Sequence, residues 1–223
     1  MKFKGLSFAL LLFSLCLTNT TLQAAGGWRE IINESGIVLS QRTLPGRTYQ
    51  QIQGQMTISG RIDTLTSILN NPALCSQWLN GCRSSQVVKK LSQAERINYT
   101  VIDAPFPLED RDMYVRSKAG YDSHTKTVTI TLQGIHNFAA EQGKRVRVMS
   151  LNGFWKFKQL DNEQVKVSYQ MHSDPQITPP SVVDSFSPSS LLKTFTRLRK
   201  LATSPAHRNI RFTPAELQSI TTR

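Results

Sequence analysis

The feature that most constrains this chain is the order of its patterns: many segments that alternate apolar and polar residues, and then one amphipathic helix. Residues 111–119 alternate through Met113, Val115, Ser117 and Ala119, and residues 127–133 through Val128, Ile130 and Leu132. Residues 164–172 alternate through Val165, Val167, Tyr169 and Met171. Side chains two apart share a strand face, so each segment predicts an antiparallel strand with one buried face and one wetter face. Further strands are expected over 37–42, 48–59, 84–91, 96–102, 144–151 and 153–159. The 96–102 strand alternates through Ile97, Tyr99 and Val101, and the 153–159 strand carries Trp155 and Phe157. Pro45-Gly46, Tyr121-Asp122-Ser123 and Asp161-Asn162 mark turns at hairpin spacing. The last helix starts at Pro179-Pro180, is interrupted by Pro188 and runs mainly over 189–202. Leu191, Leu192, Phe195, Leu198 and Leu201 line one of its faces. A sheet with one apolar face needs a cover, and this helix supplies one, so the fold class is α+β. Shorter helices are expected over 28–33 and 63–70, and in a turn after Pro72 that carries Leu74, Trp78 and Leu79.

Charge and compartment narrow the partners. The formal net charge of +12 favours an anionic partner. Lys2 and Lys4 precede an uncharged apolar run over 5–17, and Leu22-Gln23-Ala24 offers a cleavage site, the layout of a secretory signal peptide. Residues 1–24 are therefore expected to be removed, leaving a domain over 25–202 and a polar tail over 203–223, with a short helix over 214–221. Such a chain is expected to be a periplasmic or secreted monomer. Export sets nucleic acid aside and turns the basic charge toward an anionic membrane surface. From Ser185 to Ala215 there is no acidic residue but six basic ones. Lys193, Arg197, Arg199 and Lys200 are the expected membrane contacts.

Removal of the signal takes Cys16 away and leaves Cys75 and Cys82, a pair expected to be bridged in an oxidising compartment. Seven residues of unbroken helix rise about 10 Å, too far for a disulfide. Asn80-Gly81 must therefore end the helix and turn Cys82 back.

Catalytic signals are weak. His124, His136, His172 and His207 have no partner at metal-ligand spacing, and no G-x-S-x-G elbow is present. Asp110 and Asp112 lack the further ligands a metal needs, so neither a metal nor a cofactor is expected. Arg111 and Asp112 are expected to form an ion pair that fixes the start of their strand. His172 and Asp174, at a strand end, are the one catalytic pair that merits a test.

Three stretches resemble START domains, the lipid-transfer modules related to steroidogenic acute regulatory protein. Ala104-Pro105-Phe106-Pro107-Leu108-Glu109-Asp110-Arg111-Asp112 is similar to the family's proline-containing loop and RD strand start. Val146-Arg147-Val148 followed by Gly153-Phe154-Trp155 is similar to a later strand pair. Ser173-Asp174-Pro175, then Pro179-Pro180 and a helix containing Leu198-Arg199, is similar to the junction into the last helix. The order holds across residues 28–202. Gln176 stands where the family usually has glycine. Ser117 stands where sterol-type members place a tunnel-facing arginine, while Arg116 points the other way by alternation. The resemblance implies a helix-grip fold, a curved antiparallel sheet wrapped around the C-terminal helix, with a lipid or other apolar molecule in a tunnel between them and no catalysis. By pattern alone, the apolar stripes read as ordinary core. The resemblance makes Met113, Val115, Ser117, Val128, Ile130, Leu132, Trp155 and Phe157 the expected ligand wall, faced by Leu191, Phe195 and Leu198. An enzyme of the polyketide-cyclase kind, or an interaction protein with a filled cavity, is the alternative.

Overall fold

The computed structural model describes residues 26–141, 143–161 and 163–221. The expected signal segment over 1–24, with Cys16, lies outside the described residues. Ten strands appear in chain order: β1 (Arg29–Glu34), β2 (Ile37–Arg42), β3 (Gln51–Ser59), β4 (Cys82–Lys90), β5 (Glu95–Ile102), β6 (Arg111–Asp122), β7 (Thr127–Gly134), β8 (Val146–Arg147), β9 (Ser150–Gln159) and β10 (Gln164–Asp174). The helices are α1 (Ile62–Asn70), α2 (Cys75–Trp78), α3 (Pro180–Ala202) and α4 (Pro214–Ile220), and a single 3-10 turn at Pro72–Leu74 leads into α2. The strands form one open sheet in the order β1-β2-β3-β10-β9-β7-β6-β5-β4. Every neighbouring pair on that path is antiparallel, and β8 adds a short parallel pairing to the start of β6.

Three expectations are corrected. Residues 28–33 are not a helix: Trp28 precedes β1 and 29–33 belong to it. Ser35 and Gly36 both adopt positive φ, 51° and 72°, which makes a tight two-residue hairpin and pairs β1 with β2. A bulge between Glu30 and Ile32 lets the neighbours Ile31 and Ile32 both pack on the core. The bulge imitates a helical spacing with Trp28. The strand expected over 144–151 is divided: Val146 and Arg147 pair with β6, whereas Leu151 belongs to β9. Pro188 does not interrupt α3, which runs unbroken for 23 residues. A proline removes one helical donor. Near it, the Ser185 hydroxyl donates to the Val182 carbonyl at 2.7 Å and the Ser189 hydroxyl to the Phe186 carbonyl at 2.9 Å.

α1 and the later half of α3 lie against one face of the sheet. Leu39, Leu65, Ile68, Val128, Phe157, Val165, Phe195 and Leu198 share that core. The helix rides close to β3 because residue 54 is glycine: a Cβ there would stand 2.6 Å from the Phe195 ring. Tyr49 fixes the approach to α3. Its hydroxyl donates to the Ile177 carbonyl at 3.1 Å and accepts from the Ile177 N–H at 3.0 Å. The segment after Thr203 folds back onto the domain. The Phe212 N–H donates to Asp63 at 2.7 Å, Thr213 and Glu216 form a capping box, and Ile220 joins the core.

The opposite face of β5 and β6 is also covered. Ile97, Tyr99, Val101 and Tyr114 cluster there with Ile135. Arg147 lies over them, 2% exposed, and all five of its N–H groups have acceptors. Nε and Nη2 donate to the Asp112 carboxylate at 2.6 and 3.1 Å, and the carbonyls of His136, Ala139 and Ala140 take the rest. The Tyr99 hydroxyl donates to the same carboxylate at 2.9 Å, and the Arg147 guanidinium stands 4.8 Å from the Tyr114 ring centre. Asp112 therefore pairs with Arg147, and the expected Arg111–Asp112 pair does not form. Alternation sends those neighbours to opposite faces, and Arg111 instead donates to the carbonyls of Glu109, Pro175 and Gln176.

Candidate ligand cavity

A cavity of about 340 Å³ lies between the N-terminal half of α3 and the sheet. That volume falls in the usual range for a small-molecule site, roughly 300–1,000 Å³. Alternation along β6 turns Met113, Val115 and Ser117 into it, and β7 contributes Ile130 and Leu132. β9 adds Leu151 and Trp155, and β10 adds Tyr169, Met171 and Ser173. Phe186, Ser190, Leu191 and Thr194 of α3 close the side opposite the sheet. Burial holds the Tyr169 phenol neutral by pushing its pKa far up.

The cover over one side is the stretch from Pro72 to Asn80. Cys75 and Cys82 are joined by a disulfide with their Cα atoms 5.9 Å apart, as expected. α2 ends after one turn, and Gly81 takes φ 78° to reverse the chain. Side chains tie this cover to α3: the Asn80 N–H donates to the Thr194 hydroxyl at 3.1 Å, and the Asn80 amide to the Ser190 hydroxyl at 3.0 Å.

The expected ligand wall divides in two. Met113, Val115, Ser117, Ile130, Leu132, Trp155 and Leu191 do line the cavity. Val128, Phe157, Phe195 and Leu198 do not; each is 0% exposed and belongs to the solid core. The ladder explains the division. Ile130 sits opposite Trp155, and two residues along, Val128 sits opposite Phe157, at the end of these strands that α1 covers. Trp155 forms the partition, with ring centres 4.5 Å from Tyr169, 5.5 Å from Phe195 and 5.9 Å from Trp78. Ser117 faces the cavity and Arg116 faces out to pair with Glu95, as alternation predicts.

The sequence reading missed a polar wall. Arg96, Asn98 and Thr100 of β5 all line the cavity. The apolar residues between them, Ile97, Tyr99 and Val101, face the covering segment that carries Arg147. Antiparallel register places Arg96 opposite Ser117, Asn98 opposite Val115 and Thr100 opposite Met113, on one shared face. Knowing that register, a reader would have found the polar wall from the strand it borders. Burial lowers the Arg96 pKa, and a guanidinium retains its proton throughout the ordinary range. Among the described lining residues Arg96 is the one cation, and the lining contains no carboxylate and no imidazole.

The remaining candidates lie elsewhere. His172 and Asp174 alternate with the inward Met171 and Ser173, so they face away from the cavity. The His172 pKa is lowered, first by burial and then by Arg47. Asp110 pairs with Arg83 at 2.6 Å, and no group of three or more metal-ligating side chains occurs among the described residues. Lys193, Arg197 and Lys200 are exposed on α3. Arg199 is half-buried and donates to the Ser35 carbonyl at 2.9 Å, so it braces the β1–β2 turn. No helix among the described residues is long and apolar enough to cross a membrane.

No family model matches the chain. A curated relative, an uncharacterized protein of Pseudomonas aeruginosa, is 25% identical over 181 residues, which covers 80% of this chain and 88% of the relative. Among solved structures, a STAR-related lipid transfer protein from Xanthomonas axonopodis superposes with a TM-score of 0.72 at 21% identity, covering 78% of this chain and 97% of that one. Human StAR-related lipid transfer protein 5 also gives 0.72, at 16% identity, covering 80% and 86%. An aromatase/cyclase from a Streptomyces species is more distant, at 0.50 and 12% identity, covering 72% and 95%. The chain has the START-like helix-grip fold: an open antiparallel sheet with a long C-terminal helix packed against it.

Proposed function

We propose that this protein binds one lipid or similarly apolar molecule in the cavity beneath α3 and does so without chemistry. The observation that carries this reading is the cavity itself, walled by Met113, Val115, Ile130, Leu132, Trp155 and Leu191 in a fold shared with lipid-transfer proteins. The lining offers no carboxylate or imidazole for acid–base work, and His172 and Asp174 face elsewhere. The described lining thus favours binding over a cyclase reading, which would have to rest on Tyr169 and Arg96 rather than on a carboxylate or imidazole. Native mass spectrometry of gently purified protein tests the proposal. A co-purified lipid at one per chain is expected. A chain that stays empty across a lipid panel yet turns over a small aromatic substrate would refute it.

Transfer between surfaces is part of the proposal. We place the mature protein outside the cytoplasm as a monomer, delivering its ligand at an anionic membrane. Lys193, Arg197 and Lys200 supply the charge there, each worth on the order of 1 kcal/mol near an anionic leaflet. Changing these three to Gln is expected to weaken co-sedimentation with anionic vesicles and to flatten its salt dependence. Unchanged binding would refute the docking role. Cell fractionation and the N-terminal residue of the mature chain test export and cleavage after Ala24.

A further inference from the structure

A lipid has a head as well as a chain, and the cavity wall is chemically lopsided. Arg96, the one charged side chain among the described lining residues, stands at the start of the polar wall on β5. Nη2 of Arg96 donates to the Leu69 carbonyl at 3.2 Å and to the Asn70 side chain at 2.9 Å. Both acceptors lie at the C-terminal end of α1, where helix carbonyls favour a cation. These bonds aim the guanidinium but use only two of its five N–H groups. Nε is buried with no acceptor, and Nη1 has none among the described residues. Asn98, two residues along the same face, has its side-chain oxygen buried and unpartnered, and so does Trp78 with its ring N–H. No salt bridge among the described residues includes Arg96. A half-buried cation whose Nε is buried without an acceptor is costly unless an acceptor arrives from outside the chain.

We propose that the ligand is a long-chain anionic amphiphile whose carboxylate or phosphate head accepts hydrogen bonds from Arg96, with Asn98 and Ser117 beside it. This rests on the ligand-binding reading above and names the class of ligand. A neutral hydroxyl offers at most two lone pairs and no charge, so it leaves the guanidinium uncompensated. A carboxylate or phosphate matches the planar fork of donors and its charge. Ser117 sits directly opposite Arg96 in the ladder and adds a hydroxyl without adding a counter-charge. The cavity-facing row of β5 runs from Arg96 through Asn98 and Thr100 to the apolar Ile102, six residues or about 20 Å of extended strand. The apolar rows of β6 and β7 run alongside it. A single extended hydrocarbon chain suits that shape, with its head at Arg96 and its tail toward Ile102.

The test compares hexadecanoate, hexadecyl phosphate and hexadecanol, which differ only in the head. Affinities are measured by isothermal titration for the parent, Arg96→Gln and Ser117→Asp, with thermal melts to establish folding. The parent is expected to bind at least one of the two anions ten- to a hundredfold more tightly than the alcohol, the effect of one or two charge-assisted bonds. Which anion is preferred identifies the head. In Arg96→Gln the ratio is expected to collapse toward one. Ser117→Asp supplies a carboxylate opposite Arg96 from within the chain and should collapse it too, so the proposal stays testable if one variant fails to fold. Equal binding of all three ligands by the parent, or an anion preference that survives in a folded variant, overturns the anionic head and leaves the ligand-binding reading intact. If the parent takes up none of the three and carries no co-purified lipid, both fall.

Discussion

The ion pair beneath the 135–147 segment offers the sharpest test of what holds this fold together. Asp112→Asn keeps the shape of the side chain and removes its charge. Arg147 is 2% exposed and Asp112 1%, so water cannot replace the missing carboxylate. The variant strands a guanidinium whose other acceptors are the carbonyls of His136, Ala139 and Ala140. Breaking one side of a buried pair costs about 3–5 kcal/mol. For a chain of this size each kcal/mol moves the midpoint by about 2–4 °C, so a drop of roughly 6–20 °C is expected. Arg147→Met on top of Asp112→Asn removes the stranded charge. Recovery should be incomplete, because three carbonyls then lose donors worth about 0.5–1.5 kcal/mol each. Circular dichroism melts and urea titrations followed by tryptophan fluorescence measure Asp112→Asn, Arg147→Met and the double variant. A loss below about 1 kcal/mol in Asp112→Asn, or strict additivity in the double variant, would refute the reasoning, since neither fits an uncompensated buried charge.

Replacing both Cys75 and Cys82 with Ser should cost about 2–3 kcal/mol, the chain-entropy value for so short a loop, and two reactive thiols in denatured, non-reduced parent protein would contradict the bridge. Phe195→Ala should cost about 3–5 kcal/mol, because the ring is 0% exposed between Trp155 and Gly54; a melt within 3 °C of the parent would show that the site collapses freely. His172 is held neutral by burial, so the folded chain binds fewer protons than the unfolded one below about pH 6.5, and stability contributed by this residue falls as pH drops from there. His172→Gln should therefore lose less stability than the parent between pH 7.5 and pH 5, and parallel profiles would exclude His172 as the cause.

Much of the architecture was legible because strand alternation reports a local property, the difference between the two faces of one segment. β6, β7 and β10 alternate through ten or so residues, and the final amphipathic helix needs only a period to be seen. The errors arose where a partner decides. The bulge at Ile31 becomes visible only when β2 is paired with β1. Val146 and Leu151 share a pattern but pair with different strands. In β5 both faces are covered, one by Arg147 and its segment and one by the cavity, so the apolar residues marked the outer cover and the polar ones the site. Which of two buried faces receives a ligand depends on which helix lies over it, and no residue of β5 encodes that. The same limit separates Val128 and Phe157 from Ile130 and Trp155: all four are apolar and inward, and only the cover distinguishes them, α1 packing over the first pair and the cavity lying over the second.

The cavity borders only the first part of α3, which makes the helix mechanically unequal from end to end. Beyond Thr194 it is embedded: Phe195 and Leu198 are fully buried, and Arg199 is latched to the β1–β2 turn. Up to Thr194 it borders the hollow, with Pro188 depriving it of one backbone donor and the links from Asn80 to Ser190 and Thr194 as its ties to the cover. Opening free energy follows packing, so amide exchange should be graded along one unbroken helix, fastest over 181–190 and slowest over 195–202. Such a gradient would mark the first half of the helix as the part that opens from a fixed root, against the disulfide-braced cover; uniform exchange along α3 would exclude it.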